Sequence, residues 1–137
     1  MENIKLRFND EYRFPQGSVR KTIFPTTAYK QLKCCRNNYC LKSIATLTIP
    51  SGSTVVRAKF SDKLRTDKVY VERIEYFLDD DPIDEDNYQC TGPIYPGIQY
   101  KTGSVIEPNK EPLNTDINST CEPGIHFFLD KNKARRF

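Results

Sequence analysis

The sequence predicts a β-rich α+β domain of short, mostly antiparallel strands with one or two short helices. Three observations predict it. Apolar and polar residues alternate in short runs such as "IKLRF" and "KVYVERIEYF", which is the period of a half-buried strand. Nine prolines are spread along 137 residues, so elements are short and turns frequent. Helical spacing is confined to two brief segments. The length suits a single domain spanning residues 1–137.

In chain order, "IKLRF" sets Ile4, Leu6 and Phe8 on one face and Lys5 and Arg7 on the other. "TTAYKQLKCC" has Thr26 or Thr27 as a cap and aligns Ala28, Leu32 and Cys35, which predicts a short helix. "SIATLTIP" is a strand stopped by Pro50, "SGS" a turn, and "TVVRAKF" the next strand. "KVYVERIEYF" sets Val69, Val71, Arg73 and Glu75 against Tyr70, Glu72, Ile74 and Tyr76. "GIQYKTGSVIEP" reads as two short strands broken near Gly103. "GIHFFLD" is the last strand, with Ile125, Phe127 and Leu129 on the clearly apolar face and His126 and Phe128 on the other. Pro123 and Gly124 set the turn into it. "DKNKARRF" is a terminal helix with Asp130 as its cap, and Ala134 and Phe137 align on it.

Apolar residues make up only 37% of the chain, so eight Phe and eight Tyr are expected to supply much of the core. The net charge is +3. Basic residues concentrate before residue 74, and "EYFLDDDPIDED" forms an acidic stretch from Glu75 to Asp86. The bases are interleaved with Asp62, Asp67 and Glu72, as on an ordinary solvated surface. The opening "MENIKLRFND" has charges where a secretion signal needs an apolar run, so none is expected. No stretch has the ~18 apolar residues of a membrane span. Five cysteines without a secretion signal predict reduced thiols in a cytosolic compartment.

The candidate sites follow from residue type. A zinc site needs four Cys or His ligands. Cys35, Cys40, Cys121 and His126 are the set that could supply them, but no Cys-x-x-Cys pair exists, and no bound metal is expected. Cys121 and His126 are the only local thiol–base pair, and on a strand residues five apart face opposite ways. "DDDPIDED" offers oxygen ligands without the Gly and terminal Glu of a calcium loop. Lys30, Lys33, Arg36 and Tyr39 interleave cations with an aromatic, as single-strand nucleic-acid binders do.

From Tyr29 onward four ordered segments carry a resemblance: "YKQLKCCRNNYCLKSIATLTIPSGS", "DKLRTDKVYVERI", "YKTGSVIEPNK" and "CEPGIHFFLDKNKARRF". Together they resemble an uncharacterised domain family of giant DNA viruses of the mimivirus type, sometimes linked to pentapeptide repeats. The resemblance spans about residues 29–137 and leaves residues 1–28 as an N-terminal extension. Leu64 stands where that family usually has Cys, and the loop from Asp79 to Asp86 is unusually acidic. The resemblance implies a viral protein made in the host cytoplasm or virus factory. It implies no activity. "GIHFFLDKNKARRF" also resembles the strand and following helix of poly-ADP-ribose polymerase-type enzymes, which would put His126 against the nicotinamide of NAD. That segment lies at the chain's end here, with no second histidine upstream and no assignable glutamate. The expectation is therefore a non-enzymatic protein without a cofactor. It would act by contacts with a viral or host protein, as a virion component or a host-interaction factor. The alternative is an ADP-ribosyltransferase-like enzyme or a degenerate relative of one.

Overall fold

The computed structural model describes residues 13–93, 97–107, 113–119 and 123–136. Its elements are β1 (Ser18–Lys21), β2 (Thr26–Arg36), β3 (Tyr39–Ile49), β4 (Thr54–Arg57), β5 (Leu64–Thr66), β6 (Val69–Tyr76), β7 (Gln89–Thr91), β8 (Gln99–Tyr100), β9 (Val105–Ile106), β10 (Ile125–Phe127) and α1 (Lys131–Arg136). The strands form a four-stranded sheet, β1-β4-β5-β10, and a six-stranded sheet, β8-β7-β2-β3-β6-β9. Every pairing is antiparallel. The fold is mostly β, and α1 is the one short helix assigned in full among the described residues. The "IKLRF" segment and Phe137 lie outside the described residues.

The backbone of the fold is the β2–β3 hairpin, paired in register from Thr26↔Ile49 to Arg36↔Tyr39. This corrects the helix expected at residues 26–35. The signal for the hairpin is Asn37-Asn38, a two-residue turn whose first residue takes φ 53°, a conformation Asn tolerates well. A lone ten-residue helix is marginal in water, whereas β2 pairs along its whole length. Ala28, Leu32 and Cys34 then enter the core at even spacing, and Cys35 turns to the opposite face.

Strands β3, β4, β6, β8, β9 and β10 fall in segments expected to be strands, whereas β1, β5 and β7 lie where none was expected, and β6 carries one informative departure. In β6 the register skips Glu72: Thr46 pairs with Arg73 and Leu47 with Val71. This bulge shifts the alternation, so Val69 and Val71 are followed into the core by Ile74 and not by Arg73. Glu75 moves to the outer face, where it is buried. Gly103, at φ 85°, makes the expected break between β8 and β9.

The core draws Ala28, Leu32, Ala45, Leu47, Val69, Val71 and Ile74 from the larger sheet and Val55, Leu64, Ile125 and Phe127 from the smaller one. It is chiefly aliphatic, contrary to the expected share of aromatics. Phe14, Tyr100 and Phe127 are buried, but Phe24, Tyr39 and Phe60 are exposed.

The two sheets join through the last strand. Just beyond β10, Phe128 exchanges both backbone hydrogen bonds with Tyr29, each 2.8 Å long. The chain then turns at Asp130, whose carboxylate accepts the Asn132 amide at 2.7 Å and caps α1 as expected. Helix α1 lies against the outer face of β2 and β3. Ala134 is fully buried there, and so is Ile44.

Candidate functional site

His126 is where the sequence first points. It occupies β10 directly opposite Arg65 of β5, and these side chains share the face turned away from the core. Arg65 is covered by the 113–119 loop. Its guanidinium donates to the carbonyls of Asn114 and Ser119, both at 2.8 Å, and to that of Asp116 at 2.5 Å. His126 is only 5% exposed. A buried imidazole on a covered strand face offers no open cleft for a nicotinamide ring. Ile125, His126 and Phe127 are all buried, so the expected division into a buried and an uncertain face gives way to a strand enclosed on both sides.

The carbonyl of His126 accepts Lys30 Nζ at 2.9 Å. Lys30 sits on the inward face of β2, opposite the fully buried Ala45. Its ammonium lies 6.0 Å from the centre of the Tyr100 ring. Burial, followed by the charge of Lys63, lowers its pKa to about 8. Burial pushes the Tyr100 phenol up as well. The basic and aromatic set proposed for nucleic acid is therefore split. Lys30 faces inward, while Lys33 is exposed on the opposite face and Arg36 and Tyr39 flank the hairpin turn.

The cysteines depart from the expectation of reduced thiols. Cys34 is bonded to Cys90, and Cys35 to Cys40. The cause is register: each pair stands directly opposite on neighbouring strands, where β-carbons approach to about 5 Å. Adjacent residues face opposite ways, so the first disulfide is in the core and the second on the outer face. Cys35 and Cys40 thus hold each other as a disulfide instead of offering two thiolates to zinc. Cys121 lies outside the described residues. Among the described residues no group of three or more His, Cys, Asp or Glu side chains is placed to hold a metal ion.

The acidic stretch is used within the chain. Asp80 pairs with Lys131 at 2.9 Å and Arg135 at 3.3 Å on α1. Lys131, first among the causes, holds the Asp80 carboxyl below its usual range. Glu85 accepts the Thr102 amide at 2.8 Å, and Asp84 accepts from the Asn87 side chain at 2.6 Å. The loop thereby clamps the terminal helix and supports the β8–β9 turn.

The residues read from sequence miss one surface. Between β1 and β2, Ile23 is 78% and Phe24 71% exposed. They border a groove of about 360 Å³ lined also by Arg13, Phe14, Arg20 and Lys21. Thr22 anchors this connection by donating to the Pro50 carbonyl at 2.6 Å, and Arg13 donates to the Thr26 hydroxyl. The tripeptide Ile-Phe-Pro after two cations is the signal that was available: large apolar residues where a turn would ordinarily be polar.

Comparison with known proteins agrees with the resemblance. A family of unknown function, DUF5758, matches residues 10–134. The Acanthamoeba polyphaga mimivirus protein named uncharacterized protein L812 is 31% identical over 144 aligned positions, covering 93% of this chain and 90% of the relative. Uncharacterized protein L796 of the same virus is 35% identical, covering 93% of this chain and 84% of the relative. Uncharacterized protein L223, also of that virus, is 35% identical over 70% of this chain and 62% of the relative. No solved structure matches. No helix among the described residues is long and apolar enough to cross a membrane.

Proposed function

The chain belongs to this giant-virus family of unknown function, and on that premise we propose that it works by binding another protein through the Ile23–Phe24 surface. The observation that carries the reading is the pair of large apolar side chains held in solvent at a well-anchored turn. Isolated exposed apolar residues are common, but two in sequence beside a groove form a patch suited to a partner. Arg13, Arg20 and Lys21 rim it, so the partner segment is apolar at its centre and acidic at its edge. Val19, 44% exposed on the adjoining edge strand β1, extends the same surface.

The protein is made in the host cytoplasm or virus factory. The disulfides support packaging in the virion over a free role in the cytosol, because paired cysteines persist at particle surfaces and are reduced in the cytosol. The transferase-like alternative has no comparable support, since His126 is enclosed.

The test uses the full chain with a photo-cross-linker at position 19, on the rim of the same surface, expressed during infection. The expected result is one cross-linked viral protein with an acidic segment, recovered from purified particles and lost in the I23S/F24S variant. Absence from particles, with free monomer in infected-cell extract, overturns the proposal; so does turnover of NAD.

A further inference from the structure

We infer that the Cys35–Cys40 disulfide is a thiol-exchange site that accepts electrons from an acidic, cysteine-bearing polypeptide. It is set apart from the other disulfide by access. Cys34 and Cys90 are buried in the core, whereas Cys40 is exposed and Cys35 partly so, at the free end of the β2–β3 hairpin. Exposed disulfides are the ones open to exchange, because the attacking thiolate must reach a sulfur along the S–S axis.

Charge is the second observation. Two residues further along each strand, on the same face, Lys33 and Lys42 stand opposite one another, and both are exposed. A thiolate released here forms on the strand face that carries these two lysines, and nearby positive charge favours a thiolate over a thiol. The third observation is a groove of about 420 Å³ with Cys40, Lys33 and Lys42 in its wall and Leu32, Leu41 and Pro93 supplying apolar surface. It can seat a short peptide stretch beside the reactive sulfur. Its basic rim selects acidic flanks.

In the reaction, a substrate thiolate attacks the exposed Cys40 sulfur. A new S–S bond forms, the Cys35–Cys40 bond breaks, and its electron pair leaves on Cys35 as thiolate. A second substrate thiolate then attacks the substrate sulfur of the mixed disulfide and displaces Cys40 as thiolate. Two substrate thiols lose two electrons and two protons and become a disulfide; Cys35 and Cys40 become the dithiol.

The experiment uses the full chain with C121S, so that no further thiol competes. The protein is titrated with an acidic cysteine peptide, quenched by alkylation, and each cysteine is read by mass spectrometry. Cys35 and Cys40 should reduce while Cys34–Cys90 stays intact, at least about tenfold faster with the acidic peptide than with a lysine-flanked one. In a C35S variant, offered the peptide as its own symmetric disulfide, the Cys40 thiolate should attack one peptide sulfur, keep that peptide as a mixed disulfide and release the other as a thiolate. The K33Q/K42Q variant should slow exchange about fivefold at pH 7. The inference is overturned if Cys35–Cys40 resists the peptide as long as Cys34–Cys90 does. It is equally overturned if the lysine substitutions leave the rate unchanged, which is the behaviour of a plain hairpin staple.

Discussion

Replacing Arg65 with alanine tests a concentrated set of hydrogen bonds. Arg65 is 2% exposed on β5, and its guanidinium holds the carbonyls of Asn114, Asp116 and Ser119. Hydrogen bonds to a charged group contribute about 1.5–3 kcal/mol each. The loss is smaller than three times that value, because the 113–119 loop can lift and return its carbonyls to water. The buried aliphatic stem adds a cavity cost. We expect R65A to lose about 3–5 kcal/mol of a stability that is ~5–15 kcal/mol for a domain. For a chain of this size that lowers Tm by about 10–15 °C. R65K, which keeps the charge but not the planar fork, should lose about half as much. Urea denaturation measures the energy, and limited proteolysis between residues 113 and 119 reports its location. If R65A unfolds within ~1 kcal/mol of the parent, the guanidinium is not what fastens the loop to the smaller sheet.

Three further expectations concern other parts of the fold. Gly124 has φ 138°, and a β-carbon there would lie 2.6 Å from Leu113 Cδ1 and 3.3 Å from Arg65 Cβ. G124A should therefore cost about 2–4 kcal/mol in urea denaturation, and an unchanged midpoint contradicts the packing described. Lys30 has its pKa lowered to about 8 from 10.5 in the unfolded chain. The unfolded state thus binds more protons between those values, and the group's contribution to stability is full above the upper value and lost as pH falls through the lower. K30M should flatten the rise in stability from pH 8 to 9.5, and matching slopes in parent and variant refute the assignment. Asp80 pairs with Lys131 and Arg135 from a fully exposed position. D80N should speed amide exchange in α1 at low salt with little change in Tm, and the difference should vanish in high salt; a salt-independent effect argues against ion pairing.

The local rules of the sequence were legible where a residue's own chemistry decided its place. Gly103 broke one segment into two strands, Pro50 ended another, Asp130 capped the last helix, and alternation marked most of β3, β4 and β6. The family, too, was legible, because ordered motifs survive in the linear order of residues. Residues 26–35 misled because alanine, leucine and lysine favour a helix slightly, by tenths of a kcal/mol, whereas pairing with β3 depends on residues ten or more positions away. The bulge at Glu72 had no local signature and reversed which side chains reach the core.

The candidate sites divide the same way. Sequence could name Cys35, Cys40 and His126 as reactive types, but not their neighbours. By itself it determined residue chemistry, the strand-rich class and the family, since these depend on composition, period and motif order. Tertiary structure alone decided that Cys35 faces Cys40, that His126 is enclosed beside Arg65, and that Ile23 and Phe24 stand in solvent. Register and burial are set by pairing between distant strands, and a slip of one residue would have turned Cys35, Cys40 and His126 to the opposite face.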